Sequence, residues 1–321
     1  MPEKVKILVP GDDPVQIAGS PQLERLKPWG EVKLYSTRPQ STEEKIARAR
    51  DFEIIINTRG IVTWREAELR SLPKLRMIAL CSIGTDMIDL KVARERGIAV
   101  SNQPGRTAPV VAEHIFGLLF ALAKNAAFQT AELKAGRWTR RMNATVQGKV
   151  LGIVGLGHIG AEMARLGRAL GMEVLAWTFN PAPERAQRAG VRFVELDELL
   201  RQADVVSLHV RLTERTRHLI GARELGLMKQ GALLLNGARG AIVDIDALAA
   251  SLKSGHLGGA ALDVFPQEPF TGPHPILECE QVVFTPHAAD QTPEGIELLN
   301  EGAVENVIAF LEGRPQNNAA V

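Results

Sequence analysis

Cysteine is scarce: Cys81 and Cys279 are the only two in 321 residues. They lie far apart and outside any CxxC or Cys/His spacing. That pattern excludes a disulfide or metal framework, leaves no metal ligand set, and fits a reducing, cytoplasmic setting. An excess of charge of either sign is also missing. There are 38 basic and 37 acidic side chains, a formal net charge of +1, so no overall field draws the chain to nucleic acid or a membrane surface. Long apolar runs are absent. The longest, Ile115 to Ala123, is too short to cross a bilayer and reads as a buried helix. No apolar leader region follows Met1-Pro2-Glu3-Lys4, so no signal peptide is expected. The sole low-complexity stretch is a polar tail, Gln316-Asn317-Asn318-Ala319-Ala320, which is expected to fray. What remains is ordinary globular composition, 45% apolar and 23% charged, on a chain long enough for two domains.

Short apolar runs alternate with helical patterns from the start. Val5–Val9, Val32–Tyr35, Glu53–Asn57, Arg76–Leu80 and Ile98–Ser101 read as strands. Thr42–Arg50, Trp64–Leu72 and Asp89–Arg96 read as helices, the last stopped by Gly97. Such alternation means βαβ units and a parallel sheet. From Pro109 to Lys134 one long connecting helix is predicted, with Val111, Ile115, Leu118, Leu119 and Leu122 on its apolar face. A second series of strands follows at Lys149–Val154, Glu173–Trp177, Asp204–His209, Ala232–Leu235, Gly259–Phe265 and Gln281–Thr285. A final helix, Glu294–Leu311, carries one apolar face and is expected to pack back on the first lobe. The expected class is therefore α/β with two domains: a doubly wound Rossmann sheet, 102–291, inserted into a flavodoxin-like domain of 1–101 and 292–321.

Gly155-Leu156-Gly157-His158-Ile159-Gly160 directly follows the strand ending at Val154 and opens a helix, His158–Leu170. In that setting the spacing is a dinucleotide fingerprint. Gly155 allows the tight turn, Gly157 the approach of the pyrophosphate, and Gly160 close packing of helix on strand. The helix N-terminus, with the amides of His158 and Ile159, offers free N–H groups and positive dipole to phosphate. An acidic residue at the end of the next strand normally takes the ribose hydroxyls. Here Glu173–Trp177 runs into Thr178-Phe179-Asn180, with no carboxylate. Both the attraction for a 2′-hydroxyl and the repulsion of a 2′-phosphate are lost, so NAD and NADP both remain open. Arg185 reads as a solvated helix arginine, with a 2′-phosphate contact as the alternative.

Three polar segments sit at later strand ends: Asn236-Gly-Ala-Arg239-Gly240, Asp263-Val-Phe-Pro-Gln-Glu268-Pro269 and Thr285-Pro-His287. Carboxyl ends of strands are where open α/β sheets bind ligands. An arginine can clamp a carboxylate, a histidine can exchange a proton near neutral pH, and a nearby carboxylate favours the protonated imidazole. Singly, each has a bland reading as a salt bridge, a surface acid or a core histidine. Jointly they point to catalysis.

With Cys81-Ser-Ile-Gly-Thr-Asp-Met-Ile-Asp89, Val111-Ala-Glu-His114, the glycine turn and these three segments, nearly the whole chain resembles the D-isomer-specific 2-hydroxyacid dehydrogenases. That group includes glyoxylate/hydroxypyruvate reductases and phosphoglycerate dehydrogenases. The resemblance implies an NAD(P)-dependent enzyme interconverting a small 2-oxo acid and its D-2-hydroxy acid, usually a homodimer with substrate in a cleft between hinged lobes. It implies that Arg239 binds the substrate carboxylate and polarises the reacting oxygen, and that His287 is the acid/base paired with Glu268. It further implies that amides of Ser82, Ile83 and Gly84 also hold the carboxylate, and that Asp263 binds the nicotinamide carboxamide. No regulatory domain is expected after the second lobe.

Departures from the family pattern are Ala288-Ala289-Asp290 after the histidine, where glycine is common, and Arg211 two residues after His209, where proline is common. Both bear on substrate identity. His114, His158, His209, His218, His256 and His274 lack comparable company, and His158 is expected to face solvent. Arg59 and Arg106 read as solvated loop arginines, with a cleft-lining role as the alternative, and Trp138 as a dimer-arm residue. Two competing functions use the same scaffold. One is a dinucleotide-sensing, corepressor-like binding protein, against which the lack of long partner-binding tails counts. The other is a formate or phosphite enzyme, against which Glu268 counts, because formate enzymes carry glutamine there.

Overall fold

In a computed structural model describing residues 4–60 and 62–320, the chain divides into two compact units, Met1–Thr107 with Gln291–Val321 and Ala108–Asp290. The first unit holds β1 (Val5–Val9), β2 (Gly30–Leu34), β3 (Ile54–Asn57), β4 (Met77–Leu80) and β5 (Ala99–Ser101) in one parallel sheet of order β2-β1-β3-β4-β5. This is the flavodoxin-like winding. Its helices include α1 (Thr42–Ala49), α2 (Glu66–Arg70), α3 (Leu90–Glu95) and the closing α11 (Pro293–Leu311). The central strands β3 and β4 are almost continuously apolar because both faces are covered, whereas the edge strand β2 alternates. Ile7, Val9, Ile54, Ile56 and Met77 join Leu299, Ala303 and Val307 of α11 in one layer. Leu8, Ile55 and Ile78 join Leu69, Leu72 and Val92 in the other.

The second unit carries seven parallel strands: β6 (Val150–Val154), β7 (Glu173–Trp177), β8 (Arg192–Phe193), β9 (Val205–Leu208), β10 (Leu233–Asn236), β11 (Gly259–Leu262) and β12 (Val282–Phe284). Their order, β12-β11-β10-β9-β6-β7-β8, is the doubly wound Rossmann arrangement with one added strand. The switch point falls between β6 and β9. Two helices, α4 (Ala108–Ala123) and α6 (His158–Ala169), cover one face through Ile115, Leu119, Met163 and Ala164. The other face is covered by α8 (Leu196–Gln202), α9 (Ala222–Leu227) and α10 (Ile245–Lys253) through Leu199, Leu225, Leu248 and Leu252. One further helix, α7 (Pro183–Ala189), lies between β7 and β8.

Three expectations need correction. The single helix from Pro109 to Lys134 is two, α4 and α5 (Ala126–Lys134), bent by 59°. The break is at Asn125, at φ 50°, in the left-handed region that asparagine tolerates. The two-residue edge strand β8 was not foreseen, because a pair of residues carries no alternation. Lastly, the polar tail does not fray. Ser101 pairs antiparallel with Asn318, the Ala319 amide donates to Val100 O at 2.7 Å, and Ala320 is only 4% exposed. No single helix among the described residues is long and apolar enough to span a membrane.

Candidate active site

The glycine turn joins β6 to α6. Gly155 has φ +105°, and a Cβ on Gly160 would stand 2.2 Å from Gly155 O, so neither position takes a side chain. Gly157 is different: nothing lies within 4 Å of where its Cβ would be. Open space there, beside the first-turn amides of His158 and Ile159, is what a pyrophosphate requires. His158 is exposed, as expected. The turn therefore fits a dinucleotide on its own geometry.

At the end of β7, Thr178 is half-buried and Phe179 packs edge-on to Trp177, with ring centroids 4.7 Å apart. The Arg215 guanidinium covers the Phe179 ring at 4.3 Å. Arg185 is not a solvated arginine. It donates to Leu156 O, inside the glycine turn, and to Asn180 O at 2.7 Å, tying the two loops together.

Three strand ends assemble the second cluster. Arg239 follows β10 and begins a short 3-10 turn, Gly240–Ile242. Its carbonyl accepts from Asn236 Nδ2 at 3.0 Å, while Asn236 Oδ1 accepts the Ala238 amide at 3.1 Å, so Asn236 shapes the loop. Glu268 follows β11. Its Oε1 accepts the Phe265 amide at 2.9 Å, and its Oε2 lies 2.6 Å from His287 Nδ1. His287, after β12, sits at φ 52° with its amide donating to Asp263 O at 2.7 Å. The hydrogen bond that His287 donates to Glu268 raises the His287 pKa, against burial and the positive charge of Arg239. Burial acts to raise the Glu268 pKa, but the bonds from His287 and Phe265, with the charges of His287 and Arg239, bring it below the usual value. Arg239, Glu268 and His287 are thus close enough to act on one another electrically, and the contact between His287 and Glu268 favours the charged form of each.

Asp263 is wholly buried. It accepts Thr285 Oγ1 at 2.6 Å, the Ala288 amide at 2.8 Å and the Ala289 amide at 3.1 Å. Burial pushes its pKa up, but His114, Thr285 and the Ala288 amide outweigh it and the carboxylate stays ionised. These bonds pin the segment that carries His287. They also correct the reading of His114 as isolated: its Nε2 lies 3.1 Å from Thr285 Oγ1 and 3.5 Å from Asp263 Oδ1. The signal was present in the Val-Ala-Glu-His segment of α4, but only the fold shows which strand ends α4 faces. His209 stays isolated from this cluster. It bonds Ser207 Oγ at 2.8 Å, and burial drops its pKa to about 3, so it is neutral.

The loop after β4, Ser82-Ile83-Gly84, belongs to the first unit. Among the described residues no acceptor is found for the amides of these three residues, whereas each of their carbonyls is engaged. In the same unit Arg106 is ion-paired with Glu301 and Glu305 of α11, which removes it as a solvated loop arginine. Arg59, at φ 55°, donates its amide to Gln16 Oε1 at 3.0 Å and has a buried Nε without a partner among the described residues. Trp138 is 78% exposed.

A family model for the D-isomer specific 2-hydroxyacid dehydrogenase NAD binding domain matches residues 116–289. A glyoxylate reductase of Korarchaeum cryptofilum is 38% identical, over 91% of this chain and 90% of its own length. The crystal structure of a glyoxylate reductase from Paecilomyes thermophila superposes with a TM-score of 0.90 at 29% identity, covering 99% of both chains. The structure of an Aquifex aeolicus D-lactate dehydrogenase, complexed with NAD and lactic acid, superposes with a TM-score of 0.82 at 30% identity, covering 96% of both. With a dinucleotide turn on β6 and a hydrogen-bonded histidine–glutamate pair beside an arginine at the ends of β10 to β12, the chain belongs to the D-isomer-specific 2-hydroxyacid dehydrogenase family.

Proposed function

We propose that this enzyme reduces a small 2-oxo acid to its D-2-hydroxy acid, and runs the reverse oxidation, with His287 as acid/base and Arg239 as carboxylate clamp. The observation that carries the assignment is the 2.6 Å contact between His287 Nδ1 and Glu268 Oε2 within the field of Arg239. The bound nicotinamide supplies or accepts the hydride. The chain's own groups do the rest. Glu268 fixes the imidazole tautomer through Nδ1, leaving Nε2 to carry the transferred proton. Protonated His287 delivers it to the oxygen as negative charge develops there, and Arg239 stabilises the same charge while holding the carboxylate bidentately. Amides of Ser82, Ile83 and Gly84 are assigned the carboxylate as well. Asp263 is assigned the carboxamide by family resemblance. Its three accepted bonds make anchoring the His287 segment its clearest work.

The dinucleotide is assigned to Gly155, Gly157, His158, Ile159, Gly160 and Thr178. With Thr178 in the place of the acid, NADPH is accepted alongside NADH. A cytoplasmic homodimer completes the reading. The test is oxidation of NADH and of NADPH across glyoxylate, hydroxypyruvate, pyruvate, phenylpyruvate and longer 2-oxo acids. Turnover with one of them is expected. Tight dinucleotide binding with no turnover on any would instead support the sensor function.

A further inference from the structure

α11 buries two amide side chains, Asn300 and Asn306, each 1% exposed, and Asn306 stands in sequence between the buried Val304 and Val307. A buried amide is costly unless both its ends are bonded. Here both are. Asn306 Nδ2 donates to Asn102 O at 3.0 Å, and Asn306 Oδ1 accepts from Asn317 Nδ2 at 3.0 Å. The ring closes through the Asn102 amide, which donates to Asn317 O at 3.3 Å. Asn317 itself sits at φ 53°, the left-handed conformation that turns the chain back along β5.

Beyond the ring the bonds run directly into the loop after β4. Asn102 Nδ2 donates to Ile83 O at 2.6 Å, and the Gln103 amide donates to Ser82 O at 3.0 Å. In a trans peptide the C=O and the following N–H point opposite ways. Holding Ser82 O therefore turns the Ile83 amide outward, and holding Ile83 O does the same to the Gly84 amide. Successive outward N–H groups form an anion-binding concavity.

We infer that the C-terminal strap is a positioning device for this reaction: Asn317, through Asn306 and Asn102, holds the Ser82–Gly84 loop with its amides presented to the substrate carboxylate. The inference rests on the reading that this loop binds that carboxylate. The bonds themselves do not. They predict two separable effects, one on the loop's order and one on substrate affinity.

The test compares Asn317→Gly, which keeps the backbone conformation and removes the Nδ2 donor, with Asn318→Ala. Asn318 is also in the strap, but among the described residues its side chain accepts only the Val100 and Ala320 amides. Kinetics are read with the oxo acid giving fastest turnover, and loop order by hydrogen exchange at the Gln103 amide, whose acceptor is Ser82 O. In Asn317→Gly the KM is expected to rise about three- to tenfold, the loss of one buried hydrogen bond. Unchanged kcat, unchanged dinucleotide Kd and faster loop exchange should accompany it. Asn318→Ala should lower Tm without moving KM. Unchanged loop exchange in Asn317→Gly overturns the inference, as does an equal KM change in both variants. Faster exchange with unchanged KM keeps the coupling and overturns the assignment of the carboxylate to the loop.

Discussion

His287 gains its chemistry from Glu268. The hydrogen bond raises the histidine's pKa, and the same contact holds the glutamate's down, so between those two values the pair is an ion pair. Reduction needs the protonated imidazole, so kcat/KM for the oxo acid should fall as pH rises through an apparent pKa above the ordinary imidazole value near 6.5. Glu268→Gln removes the raising influence, so that alkaline limb should move to lower pH. A limb left in place would take Glu268 out of the proton's control. The stability signs are separate. The histidine's raised pKa contributes stability below its unfolded value, lost as pH climbs through the folded one. The glutamate's lowered pKa contributes above its unfolded value, lost as pH drops through the folded one. Both side chains are more than a third exposed, so solvent screening keeps this contribution small. His287→Ala should cost about 10²- to 10⁴-fold in kcat and leave dinucleotide affinity intact. Arg239→Ala should raise KM and lower kcat together, about 100-fold in kcat/KM for a charge-assisted pair. An unchanged KM for the oxo acid would end the clamp assignment.

At the scale of elements, periodicity carried most of the fold, because a parallel sheet buried on both faces writes itself as short apolar runs between helices. β1 was legible to the residue. What was not legible had no periodic signature. The Asn125 break is a single backbone conformation inside a continuing apolar pattern. The strap along β5 is polar, and its order comes from bonds to Val100, Ser101 and Asn102, which are distant in sequence. Arg239, Glu268 and His287 stood out because each follows a strand. His114 did not, since α4 meets Asp263 only after folding. Cofactor choice also belongs to this scale, at the turn after β7. Thr178→Asp places a carboxylate where a 2′-phosphate would sit, and should raise the KM for NADPH relative to NADH by about tenfold or more. A ratio that does not move would place the adenosine ribose elsewhere.

At the scale of the whole molecule, the two units each own a sheet and two apolar layers, and the chain passes between them at Thr107–Ala108 and again at Asp290–Gln291. Every group assigned to the dinucleotide lies in the second unit, so its binding free energy should stabilise that unit first. At a hundredfold excess over Kd, a ligand that binds only the native state adds about 2.7 kcal/mol. For a domain of this size that raises the melting temperature by about 5 to 10 °C. Amide exchange should then slow most in the first turn of α6 and in β6, β7 and β9, whose ends surround the glycine turn, and least in β1 to β5. If saturating dinucleotide protected the β1 to β5 core as strongly as the start of α6, the binding site could not be confined to the residues named here. If α6 gained no protection at all, the glycine turn would be a structural turn only.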